Sequence, residues 1–221
     1  DWYNAGYIMT WGSNVPLTRT PDAHFLTEVR YKGTKVVSVS PDYAESTTSS
    51  DAWLNVKAGT DAALAMAMGH VILKEYYIDK ETPYFKEYAK EFTDMPFLVR
   101  VEDINGAVQP GRFLNAKDLG SKEDGADFQT VLIDETTHEI VVPNGTMGDR
   151  HTHPEKWNLR LENRNTGAKI DPRLSVFDQR EDVTIVKLPY FGDEEHEGVI
   201  ERAIPTITVQ TVDGPVKVTT V

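Results

Sequence analysis

The stretch covering residues 6–61 limits the fold of this chain more than any other. Tyr7-Ile8-Met9-Thr10 ends in Trp11-Gly12-Ser13-Asn14, and Val36-Val37-Ser38-Val39-Ser40 ends in Pro41-Asp42. Asp51-Ala52-Trp53-Leu54 leads on to Gly59-Thr60-Asp61. Each apolar run has the length of a buried strand and stops at glycine, proline or a short polar residue. Residues 22–31, between the first two runs, have helical spacing. Residues 61–77, after the third, form the longest helical pattern in the chain. Such an order builds an open parallel sheet, with a nucleotide cleft beyond the carboxyl ends of its strands. The expected fold class is α/β. Residues 1–101 should form a Rossmann-like parallel sheet with helices on both faces, and residues 102–221 a β-rich, loop-rich portion.

Local chemistry fills in this frame. Tyr7–Trp11 reads as a central strand; Gly12 permits a tight turn, and Ser13 and Asn14 place short hydrogen-bonding side chains on it. Val15-Pro16 should block immediate helix formation, Thr20 should cap the next helix with Pro21 in its first turn, and Gly33 should end it. Asp42, past the second strand, is placed to accept hydrogen bonds from ribose hydroxyls or a base edge. It could equally open an Asx turn or cap residues 44–48. Residues 46–51 are a polar loop or short helix. Thr60 or Asp61 should cap a helix over residues 62–77 whose apolar circumference implies burial against a sheet, with its methionines as core filler and His70 at a boundary. Pro83–Phe92 reads as an amphipathic helix stopped by Asp94-Met95-Pro96, with a strand over 97–101 after it.

In the second half, strand-like runs at 128–133, 139–142, 183–188, 204–211 and 216–221 alternate with turn signals. These are Asn105-Gly106, Pro110-Gly111, Asn144-Gly145 and Asp213-Gly214. Residues 120–127 and 191–198 are acidic, polar and expected to be mobile. His151-Thr152-His153 with Glu155 is a metal-like cluster, but it sits in a loop without a third ligand at a telling spacing.

Composition removes several classes of function. A formal charge of −12 opposes general binding to nucleic acid. The chain has no cysteine, which rules out a disulfide framework, a thiolate zinc site or an iron–sulfur cluster ligated within it. No apolar run approaches the roughly 20 residues of a membrane span, so no direct membrane insertion is expected. The chain opens Asp1-Trp2-Tyr3-Asn4, as a piece cut from something longer would. No nucleophile elbow, phosphate-binding loop or Gly-x-Gly-x-x-Gly motif occurs. Residue chemistry alone thus leads to a nucleotide-binding α/β domain without an identifiable reaction.

Ordered motifs add a resemblance. Trp11-Gly12-Ser13-Asn14, Val39-Ser40-Pro41-Asp42-Tyr43, Asp51-Ala52-Trp53-Leu54 and residues 59–67 (GTDAALAMA) resemble the segment shared by large molybdopterin oxidoreductases. Asp1-Trp2-Tyr3-Asn4, residues 18–25 (TRTPDAHF), residues 28–35 (EVRYKGTK), Asp94-Met95-Pro96, Pro143-Asn144-Gly145, Lys156-Trp157-Asn158-Leu159 and Pro189-Tyr190-Phe191-Gly192 resemble the respiratory nitrate reductase alpha subunits within that superfamily. The resemblance implies a molybdenum bis(molybdopterin guanine dinucleotide) cofactor and reduction of nitrate to nitrite. Electrons would come from quinol through iron–sulfur clusters in the full assembly, whose partners are the rest of the alpha subunit, an iron–sulfur beta subunit and a quinol-oxidising membrane gamma subunit. The location would be the cytoplasmic face of the bacterial membrane. Carried over by residue, Trp11, Gly12, Ser13, Asn14, Pro41, Asp42, Gly59, Thr60 and Asp61 would surround a guanosine diphosphate arm, and no catalytic or metal-ligating residue falls in this stretch. The rivals are another molybdopterin oxidoreductase (a chlorate, selenate or perchlorate reductase) and a non-catalytic nucleotide-binding or interaction module.

Overall fold

The computed structural model describes residues 1–145, 160–176, 182–189 and 198–221. The chain divides into two compact units, Asp1–Asp79 and Lys80–Val221.

In the first unit β1 (Tyr7–Trp11), β2 (Lys35–Val39) and β3 (Ala52–Leu54) make a three-stranded sheet in that order, parallel throughout. β2 is therefore the central strand, which corrects the place expected for Tyr7–Trp11. Burial gives the reason: Val36, Val37, Ser38 and Val39 are all buried, whereas Thr10 alone is buried in β1. A strand needs a neighbour on each side and cover on each face to lose all its solvent. Trp11, Val39 and Leu54 lie in register, so the three strands end level.

The chain crosses from β1 to β2 through α1 (Val15–Thr18) and α2 (Thr20–Tyr31). Pro16 does not block α1: it stands in the first turn, where a missing amide hydrogen costs nothing. Arg19 rather than Thr20 is the N-cap of α2, with no side-chain cap bond, and it pairs with Asp22 at 2.7 Å. Leu26 and Val29 point inward, and Leu26 packs with Val15 and Val36 into the core of the unit. A short helix, α3 (Glu45–Thr48), leads to β3. Asp51 joins these parts, exchanging two hydrogen bonds of 2.7 Å with the Val36 backbone and meeting Arg30 of α2 at 3.2 Å. The Val36 amide, then Arg30, hold its carboxyl below the ordinary range.

The long helical pattern becomes α4 (Asp61–Ile72) followed by a π-helix, Leu73–Asp79. Neither contains a buried residue, and Met66 is 76% exposed, so the expected burial against a sheet is corrected. α4 is apolar around its circumference and has no single face to commit to this small sheet. Its run of alanine, leucine and methionine favours a helix on propensity alone.

The second unit opens with α5 (Pro83–Phe92), which buries Ala89 and stacks Tyr84, Tyr88 and Phe92 along its exposed side. β4 (Leu98–Ile104) turns through Asn105-Gly106, both with positive φ as a type I′ hairpin requires, into β5 (Ala107–Phe113). Pro110-Gly111 is not the expected turn; it lies within β5, the last strand of its sheet, where a proline is tolerated. A Cβ at Gly111 would come within 2.5 Å of the Glu102 carboxylate, the far end of a flexible side chain that can move aside. Two short pairs follow, β6 (Leu132–Ile133) with β7 (Ile140–Val141) and β8 (Pro143–Asn144) with β9 (Arg160–Asn163). β10 (Asp182–Pro189), β11 (Val199–Thr211) and β12 (Gly214–Thr220) complete an antiparallel five-stranded sheet of order β10-β11-β12-β4-β5. Leu98, Leu114, Val131, Ile133, Val176, Val209 and Val218 form its core. The strand expected over 97–101 thus belongs to this sheet.

His151, His153 and Glu155 lie outside the described residues, as does most of the acidic loop over 191–198. Among the described residues no three histidine or carboxylate side chains gather in a way that could hold a metal ion, and no helix is long and apolar enough to cross a membrane.

Candidate functional site

Because the three parallel strands end level, the segments that follow them emerge along one sheet edge. After β1 the chain turns at Gly12, whose φ of +61° lies in the left-handed region. The Gly12 amide donates to the Val39 carbonyl at 2.9 Å, which fixes the turn against β2. No atom lies within 4 Å of where a Gly12 Cβ would stand, so the glycine is required by backbone conformation and not by crowding. Gly12→Ala should cost about 1 kcal/mol of stability with no steric penalty, measured as a shift in denaturant midpoint at unchanged slope.

Among the described residues, the backbone amides of Ser13 and Asn14 and the Ser13 hydroxyl meet no acceptor. The Asn14 side chain is more committed: its amide nitrogen donates to Glu45 Oε2 at 2.6 Å, and its oxygen lies 3.2 Å from Ser46 Oγ. The Asn14 amide, followed by the backbone amide of Glu45, holds the Glu45 carboxyl below its ordinary value.

After β2, Ser40 Oγ donates to Asp42 Oδ1 at 2.7 Å and Trp53 Nε1 donates to the Ser40 carbonyl at 2.9 Å. Asp42 caps no helix, since the N-cap of α3 is Ala44. Its second oxygen meets no donor among the described residues. Pro41 and Asp42 are exposed. Before α4, Gly59 is left-handed at φ +85° and Thr60 Oγ1 donates to the Lys57 carbonyl at 2.7 Å, so that hydroxyl can only accept from a ligand. Asp61 stands in the first turn of α4, and the Trp11 indole donates to its Oδ1 at 2.6 Å, tying it to the end of β1. Trp11 thus orients an acid, and the other carboxylate oxygen of Asp61 is open among the described residues.

The structure therefore ties Asp61 by one hydrogen bond to Trp11, the residue that leads into the Gly12-Ser13-Asn14 turn, and sets Pro41 and Asp42 at the same sheet edge, with Gly59 and Thr60 leading into Asp61. It adds three residues that spacing did not single out for the site: Thr10, Glu45 and Ser46. Thr10 is 5% exposed, and its hydroxyl is buried without a partner. It lines a cavity of about 400 Å³ with Trp2, Ile8, Trp11, Ser13 and Arg19. Glu45 and Ser46 hold the turn, but a serine in a Ser/Thr-rich stretch gives no signal of its own.

A left-handed glycine turn with unspent amides and half-open carboxylates at the carboxyl edge of a parallel sheet is how α/β proteins hold nucleotides. The chain belongs to the molybdopterin oxidoreductase family, whose sequence model matches residues 1–204. It is 54% identical over 205 residues to the nitrate reductase alpha chain of Bacillus subtilis, covering 93% of this chain and 17% of that protein. It is 46% identical over 225 residues to the respiratory nitrate reductase 1 alpha chain of Escherichia coli, covering 97% of this chain and 18% of that one. The perchlorate reductase subunit alpha of Dechloromonas aromatica is 40% identical over 150 residues, 68% of this chain and 15% of that protein. The chain thus spans less than a fifth of the length of these curated relatives.

Proposed function

We propose that this chain is the part of a respiratory nitrate reductase alpha subunit that holds a guanosine diphosphate arm of a molybdenum bis(molybdopterin guanine dinucleotide) cofactor. Family membership implies the molybdopterin itself. One observation supports the nucleotide arm above the rest: the unspent amides of Ser13 and Asn14 share a sheet edge with two carboxylates that each keep an oxygen open. The donor set fits the group. Amides and the Ser13 hydroxyl suit phosphate oxygens, whereas Asp42 and Asp61 can accept from ribose hydroxyls or guanine N–H groups but would repel phosphate. Ser13 and Arg19 add polar residues to the lining of the adjoining cavity.

On this reading the parallel sheet is part of a Rossmann-like domain with helices on both faces, and residues 1–101 form its cofactor-holding share. Residues 102–221 are an attachment of the same subunit. When bound, the cofactor supplies two-electron redox chemistry, here the reduction of nitrate to nitrite. This chain orients the distal nucleotide and leaves the metal to other residues. Electrons would reach the cofactor from quinol through a membrane gamma subunit and an iron–sulfur beta subunit, at the cytoplasmic face of the membrane. The cluster ligands of the alpha subunit lie elsewhere, since this stretch has no cysteine. The perchlorate reductase relative keeps reduction of another oxyanion as the second reading, over a smaller share of the chain.

Calorimetric titration of the chain with guanosine diphosphate tests the proposal. Saturable binding is expected, weakened about ten-fold or more in Asp42→Ala or Asp61→Ala, with no nitrate turnover by the chain alone. Failure to bind at millimolar ligand, a free energy weaker than about −4 kcal/mol, would overturn it.

A further inference from the structure

We infer that Ser46 and Glu45 are positioning residues for the nucleotide turn, holding Ser13 and Asn14 so that their backbone amides stay free to meet a phosphate group. The inference rests on the cofactor reading above. Ser46 is 2% exposed and belongs to α3, the helix that follows the second strand. A hydroxyl has one proton and two acceptor sites. This one donates to the Ser13 carbonyl at 2.8 Å, with Asn14 Oδ1 at 3.2 Å on its other side, and accepts from the Val15 amide at 2.9 Å. A single buried oxygen therefore pins Ser13 and Val15, the residues on either side of Asn14. Glu45 adds the 2.6 Å bond from the Asn14 side chain, which stops that side chain from folding back onto its own backbone.

The turn needs such support. Gly12 confers freedom on its backbone, and the neighbouring amides have no partner among the described residues to hold them. The strut that supplies it is itself fixed. Thr47 is buried with its hydroxyl 3.4 Å from Ser38 Oγ in β2, and Ser50 Oγ donates to the Ser46 carbonyl at 2.7 Å. Asp42 stands just before this strut in the chain. α3 thereby sets the spacing between the phosphate-binding turn and the acid that would take the sugar or base.

Amide exchange by NMR and guanosine diphosphate calorimetry on the same samples test this. Ser46→Ala should speed exchange at Val15 while Val37 and Val39 of β2 keep their rates, and should weaken nucleotide binding about five-fold; Ser46→Thr, which keeps the hydroxyl, should restore most of both. Wild-type exchange at Val15 together with wild-type affinity in Ser46→Ala would overturn the inference. If Ser46→Ala loses the fold, Glu45→Ala at an exposed position decides: about three-fold weaker binding at an unchanged melting temperature supports it, and unchanged affinity overturns it. Absence of binding to the wild type would instead sink the cofactor reading, and the Val15 exchange rate alone would then decide the role of Ser46.

Discussion

Asp118→Ala should destabilise the second unit by about 3 kcal/mol in denaturant unfolding, the largest loss expected from any charged residue described in this chain. The Asp118 side chain is only 8% exposed and accepts from both terminal nitrogens of Arg112 at 2.7 and 2.6 Å, from Arg100 at 3.3 Å and from the Asn115 amide at 3.1 Å. Its carbonyl takes the Val212 amide at 2.9 Å, so one residue links β4, β5 and the turn between β11 and β12. Removing the carboxylate leaves the 16%-exposed Arg100 side chain without one of its two counter-charges. The loss falls at the lower end for buried pairs because half of Arg112 remains in water. Arg112, followed by the Asn115 amide, holds the Asp118 carboxyl below its ordinary 3.8 against the cost of burial. A depressed carboxylate stabilises fully above its unfolded value and loses that contribution as pH falls through the folded one. Stability of the wild type should therefore decline below about pH 4, and Asp118→Ala should flatten that decline. A loss under 1 kcal/mol would mark the cluster as an ordinary surface ion pair.

Leu26→Ala should cost about 2–5 kcal/mol in the first unit, because Leu26 is fully buried and its removal leaves a cavity against Val15 and Val36. The effect should reach the nucleotide site. Val15 follows the Ser13-Asn14 turn directly, and its amide is one of the groups bound by Ser46. Guanosine diphosphate affinity should fall along with stability, whereas Leu98→Ala, in the core of the other unit, should destabilise without weakening the nucleotide. Equal loss of binding in both variants would show that affinity tracks global stability.

The parts of the fold that were legible in the sequence are those whose signal is local. Three apolar runs gave β1, β2 and β3 nearly to the residue, Pro83–Phe92 matched α5, and Asn105-Gly106 marked its hairpin, because backbone sterics and short-range periodicity determine each. What depended on distant partners was not legible. Leu98–Ile104 pairs with the final strand of the chain, Leu98 against Thr220, which no pattern around residue 98 could reveal. Pro110-Gly111 carries a turn signature and yet lies in a strand, since being the last strand of the sheet removes the penalty for proline. The same division runs through the candidate site. Gly12 and the short polar residues beside it announce a turn, whereas the support from Ser46 depends on α3 folding back across more than thirty positions. The apolar circumference of α4 suggested a covered helix, and periodicity cannot report whether any cover is present.

That uncovered helix has a thermodynamic consequence for the site. With Leu64 and Met68 only half-buried and no side chain fully so, α4 gains little tertiary burial to resist fraying, so its opening free energy belongs at the low end of the unit. Asp61 sits on its first turn and is tied to the sheet by one indole hydrogen bond. A ligand that engages Asp61 must therefore also meet the entropy of keeping the helix end ordered. Its apparent affinity is the intrinsic one scaled by the fraction of molecules in which that end is already formed.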